Sequence, residues 1–188
     1  MTRVQLELTR IKIHRPKASW RLYFLLLTEH PLQPNELVAT VIPQQPVLVV
    51  PDQKNQVHFE PAGKGTEGLL LLSRELPPAG ELNTHLFVMH SRRAGREIGG
   101  ILLDIGQLLG NEVLGKESEL LGLASPWLRL AKAALPRVGQ SLTGLPDRHL
   151  GFINMYERFG PEFQQENEHS REIRGGHVTV TYRWSVAG

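Results

Sequence analysis

Over residues 177–186, Val178, Val180, Tyr182, Trp184 and Val186 alternate with Thr179, Thr181, Arg183 and Ser185. A period of two puts every apolar side chain on one face of an extended strand, whereas a helix would scatter the same residues around its axis. The signal recurs at the other end of the chain. Val4, Leu6 and Leu8 alternate with Gln5, Glu7 and Thr9, and the apolar parity then slips to Ile11 and Ile13. Such a slip predicts a β-bulge near Thr9-Arg10, or a strand that crosses between two sheets. Over residues 20–28, Trp20, Leu22, Phe24 and Leu26 share one face while Tyr23, Leu25 and Leu27 share the other. Both faces are apolar, which predicts a central strand.

Shorter candidates follow at 37–42, 47–50, 57–60 and 69–73, each bounded by Pro, Gly or Asn, and a longer one at 82–90. Regular spacing with turn residues between strands is the signature of a sandwich or barrel. After Pro146-Asp147 a further strand is predicted at 150–159, with Phe152 and Tyr156 on one face and Ile153, Met155 and Phe159 on the other. The polar run 164–174, closing on Gly175-Gly176, reads as an exposed loop into the last strand.

Between residues 96 and 144 the period changes. Ile98, Ile101, Leu102, Ile105, Leu108 and Leu109 fall on one helical stripe, as the 3.6-residue repeat requires. A second helix is predicted at 126–135, with Pro126 in its first turn and Pro136 as its stop, and a third, shorter one at 111–123. Eight glycines interrupt this block. The expected architecture is thus mainly β: an antiparallel β-sandwich of about eight or nine strands, with an α-helical insertion over about 96–144 before the last two strands. At 188 residues the chain fits one domain, with 1–92 and 147–188 forming the sandwich. An apolar fraction of 40% at net charge +2 places it outside the regime of disordered chains.

The chain contains no cysteine, which excludes disulfides, thiol catalysis and Cys-ligated metals. The N-terminal residues alternate polar and apolar with no signal-peptide pattern, so the expected location is cytoplasmic. The longest apolar stretches, such as 120–128, fall short of the ~18 residues of a membrane-spanning helix. Charge is uneven. Residues 1–21 carry Arg3, Arg10, Lys12, Arg15, Lys17 and Arg21 against Glu7, while 157–172 carry five glutamates against Arg158 and Arg171. Pairing across neighbouring strands is the favoured reading of that asymmetry.

Eight histidines raise the question of a metal or acid–base site. His85 and His90 are five apart on one strand, so they face opposite sides and cannot share an ion. Glu166, Glu168, His169 and His177 flank the late polar run and are the remaining metal candidates, without HExxH or comparable spacing. The three aspartates, Asp52, Asp104 and Asp147, are too dispersed for a multi-aspartate calcium cup. No Gly-x-Ser-x-Gly elbow or phosphate-binding glycine loop is present. No cofactor or metal is expected.

Arg92, Arg93 and Arg96 form the sharpest basic cluster, suited to phosphates. Arg129 and Lys132 flank the apolar face of the 126–135 helix and could meet lipid phosphates. The favoured reading is a soluble, non-catalytic β-sandwich interaction module that binds a protein partner. The alternative is a peripheral membrane protein using its glycine-rich amphipathic insertion, and the third is an enzyme or metal protein centred on the C-terminal His/Glu run. Nucleic acid is disfavoured as a partner, because the net charge is small and the aromatic residues occupy core positions.

Overall fold

The clean alternation at the C-terminus becomes a strand held on both sides, in the interior of a sheet. The computed structural model describes residues 3–15, 17–29, 37–59, 68–78, 80–92, 147–160, 163 and 168–187. Among the described residues nine strands run in chain order: β1 (Arg3–Ile13), β2 (Trp20–Glu29), β3 (Leu37–Val49), β4 (Gln56–His58), β5 (Leu69–Glu75), β6 (Glu81–His90), β7 (Arg148–Arg158), β8 (Glu168–Gly175) and β9 (Val178–Ala187). One antiparallel sheet has β9 between β1 and β8, with β4 and β5 sharing the far side of β1. The second has the order β3-β2-β6-β7, also antiparallel.

The inner faces meet in one core. Leu6, Leu8, Ile11, Ile13, Val180, Tyr182 and Trp184 of the first sheet pack with Leu22, Phe24, Leu26, Leu86, Val88 and Ile153 of the second. Both sets come from the alternating positions, so burial of one face per strand drives the pairing. The parity slip in β1 is a bulge: Leu8 pairs with Tyr182 and Arg10 with Thr181, leaving Thr9 extra. The Thr9 hydroxyl donates to the Thr181 carbonyl at 3.1 Å. Central placement of β2, between β3 and β6, matches its two apolar faces.

Two expectations need correction. The segments 37–42 and 47–50 belong to one strand, β3, whose pairing jumps from Leu22–Val47 to Phe24–Ile42 and so sets residues 43–46 aside. Pro43 and Pro46 lack an N–H, which an edge strand tolerates. The polar run taken for a loop is in large part β8, paired with β9 from Glu168–Ser185 to Gly175–Val178. Three strands therefore follow the insertion, not two. The insertion itself, 96–144, lies outside the described residues.

The outer face of the second sheet is also buried along β2 and β6. Tyr23, Leu25, Leu27, Val41, Phe87 and Met89 are at most 5% exposed, although the core shared with the first sheet lies on the opposite face. His85 stacks on Phe152 there, with centroids 5.5 Å apart. At one end the two sheets touch backbone to backbone. A Cβ on Gly151 of β7 would fall 2.0 Å from the Gly175 carbonyl oxygen, and one on Gly175 would fall 2.0 Å from that of Phe152. His177 N–H donates to the Leu150 carbonyl at 2.8 Å across this seam.

Candidate functional site: a basic cleft at one end of the sandwich

The seam belongs to the end where β1 gives way to β2, β6 stops, β7 starts and β8 turns into β9. Because strands are antiparallel, residues remote in sequence meet there. Among the described residues this end holds Lys12, Arg15, Lys17, Arg21, Lys54, Arg92, Arg148 and Arg174, against Asp52 and Asp147. The opposite end holds Glu29, Glu75, Glu81 and Glu157 against Arg3, Arg74, Arg158 and Arg171, the last bound to Glu157. The charge asymmetry of the sequence is thus resolved in two ways. Arg10 does pair with Glu172 at 2.7 Å across β9, but the cations at 12–21 gather away from the acids and make a patch.

A cleft of about 510 Å³ opens within the basic end, lined by Lys17, Ser19, Trp20, Arg21, Leu48, His90, Ser91, Arg92 and Arg148. Its floor is ordered by His90, the last residue of β6. The His90 Nδ1 lies 3.2 Å from the Arg21 carbonyl oxygen and Nε2 lies 3.0 Å from Lys17 Nζ. An ammonium only donates, so Nε2 accepts from Lys17, while Nδ1 faces both the Arg21 carbonyl and, at 3.3 Å, the Arg21 N–H. Burial holds the imidazole below its ordinary pKa, and Lys17 and Arg92 add to that, against the bond to the Arg21 backbone. Neutral His90 thereby fixes Lys17 at 5.1 Å from the centre of the Trp20 ring, a cation–π distance.

Both acids of this end are used by the fold. Asp147 is buried; its Oδ2 accepts from the Tyr23 hydroxyl at 2.9 Å and its Oδ1 from the Arg92 N–H at 3.2 Å. Asp52 caps the β3–β4 turn, accepting from the Lys54 and Gln56 N–H groups at 2.8 Å each. Those backbone bonds, the one from Gln56 foremost, hold its carboxyl below the usual range. Arg92 and Arg148, by contrast, line the open cleft, and an oxyanion there would meet guanidinium and ammonium donors suited to charge-assisted hydrogen bonds.

Of the residues expected from sequence, Arg92 lies in this cleft; Arg93, Arg96, Arg129 and Lys132 lie outside the described residues. Lys17, Arg21 and Arg148 were not anticipated as a set. They sit on three different strands or turns, and only the pairing of β2 with β6 and of β6 with β7 unites them. The excess of basic residues at 1–21 was the available signal.

Of the His/Glu run, Glu166 lies outside the described residues, and the strand order separates the two histidines. His169 pairs with Trp184 near one end of β8, while His177 sits in the turn beyond the other end, a separation above roughly 20 Å at about 3.3 Å per residue. His177 Nε2 faces Arg15 Nη2 at 2.8 Å. Among the described residues, no three His, Asp or Glu side chains are placed to hold a metal ion. One nucleophile-like contact exists, His14 Nε2 to Thr179 Oγ1 at 2.8 Å. The charged and titratable groups acting on His14 are Arg174, Lys12 and His177, with no carboxylate among them to orient its ring as a base requires.

No family model matches the chain, and no curated protein matches it. Among solved structures, a Drosophila C2-DSL-EGF1 structure is similar over 99% of this chain and 67% of its own, with a TM-score of 0.41 and 9% identity. A likeness of that degree carries no argument about function.

Proposed function

We propose that the protein is a non-catalytic β-sandwich interaction module that grips an anionic partner with its basic end. The observation that carries this reading is the cleft: Lys17, Arg21, Arg92 and Arg148 surround one cavity, while the two carboxylates described at this end are engaged by backbone N–H groups and, for Asp147, a tyrosine hydroxyl. Cations so concentrated repel one another and destabilise the free state, and an anion relieves that repulsion. The test is isothermal titration with inorganic pyrophosphate as a probe. Saturable binding that weakens with added salt is expected, and a Lys17→Glu/Arg148→Glu double variant should lose it. Absence of binding by the unaltered protein at low salt would refute the reading.

The outer face of the second sheet is apolar along β2 and β6, and we propose the 96–144 segment as its cover. Tyr23, Leu25, Leu27, Phe87 and Met89 are buried on that face. The described residues on either side of it, His90 and Arg148, are paired neighbours in the second sheet. The apolar stripe of Ile98, Ile101, Leu102, Ile105 and Leu109 supplies the complementary surface. Ile105→Asp is accordingly expected to lower the melting temperature by several degrees, through an unpaired charge in an apolar contact. An unchanged melting curve would place the stripe in solvent.

A further inference from the structure

We infer that the basic end is a docking surface for an anionic phospholipid bilayer, with Val47, Leu48 and Val50 entering the headgroup layer while Lys17, Arg21, Arg92 and Arg148 contact lipid phosphates. The inference rests on the reading of this end as the binding end and adds an independent observation to it. Val47, Leu48 and Val50 are 48%, 59% and 73% exposed. The other exposed large apolar residues described, Leu70 and Tyr156, stand singly on other strands. Three aliphatic side chains within four positions are therefore a concentration, and they fall where the cations are. Leu48 pairs with Arg21 across the ladder and itself lines the cleft.

That combination selects the partner. A soluble acidic peptide is satisfied by the cations alone and leaves the aliphatic tip in water. A bilayer offers phosphates at one depth and hydrocarbon a few ångströms further, so it satisfies both halves of the surface. The tip is also held ready. Asn55 adopts φ 58°, Asp52 ties down two N–H groups of the turn, and Ile13 N–H donates to the Asn55 carbonyl at 2.9 Å. Docking then orders little that is not already ordered.

The experiment is co-sedimentation of the full chain with vesicles of phosphatidylcholine alone and of phosphatidylcholine mixed with phosphatidylserine, at low and high salt. It is paired with titration of inorganic pyrophosphate in solution. Each basic residue near an anionic surface strengthens binding about fivefold, so vesicles containing phosphatidylserine should bind at least about tenfold more tightly than neutral ones, and less so in salt. A Val47→Asn/Val50→Asn variant, altered only at exposed positions outside the cleft lining, should lose about tenfold on those vesicles and keep its pyrophosphate affinity. Pyrophosphate binding without vesicle binding overturns the bilayer and leaves the anion reading intact. Vesicle binding undiminished in the Val47→Asn/Val50→Asn variant overturns the inserted tip. Failure of both probes overturns the inference together with the reading beneath it.

Discussion

His85 illustrates how one buried side chain ties this fold to pH. It is 4% exposed and stacked on Phe152, and burial lowers its pKa from 6.5 to about 4. In the unfolded chain the imidazole protonates near 6.5, whereas in the fold it stays neutral well below that. Between those limits the unfolded state binds more protons, so stability is complete above pH 6.5 and declines as pH falls towards 4. The expected loss is about 2 kcal/mol. Urea denaturation at pH 7 and at pH 4.5 should show that loss in the unaltered protein, and His85→Phe should flatten it by keeping the ring and removing the proton site. An equal pH dependence in the variant would assign the decline elsewhere. The sequence revealed that His85 and His90 face opposite ways, but not that His90 would anchor a lysine. That depends on Lys17 and Arg21, about seventy positions earlier in the chain.

Strands β8 and β3 show which elements could be read in advance and which could not. Strands with one or two apolar faces, such as β1, β2, β6, β7 and β9, announce themselves by alternation because the core demands it. β8 carries Glu168, His169, Ser170, Arg171, Glu172, Ile173 and Arg174, so hydrophobic patterning is nearly silent there. Its order comes from ladder bonds to β9 and from ion pairs: Arg171 holds the buried Glu157 of β7 through two bonds of 2.8 and 3.0 Å. Charge along an edge strand also discourages pairing with another chain. The seam between β7 and the β8–β9 hairpin is where this element tolerates least. Gly151→Ala would press a methyl group into the Gly175 carbonyl and the Val178 side chain. A destabilisation of at least about 2 kcal/mol is expected, a fall of about 5 °C in Tm. Differential scanning calorimetry would test it, and an unchanged Tm would mean that the seam opens freely.

At the scale of the whole molecule, the two-sheet architecture was legible because each strand repeats the same demand for a buried face. The basic end was not, since no local motif encodes it: a cluster built from residues 12–21, 54, 92, 148 and 174 exists only once the antiparallel order has folded its contributors to one side. Net charge conceals it as well, because the +2 of the full chain says nothing of where its cations gather. Among the described residues the charge is consequently lopsided along the strands, an electric dipole with its positive end at the cleft. Within about 10 Å of a negatively charged body at ordinary ionic strength, such a dipole feels a torque before it feels contact. The protein then turns its cleft forward during approach, and the rotational search that slows most encounters is shortened before the surfaces meet.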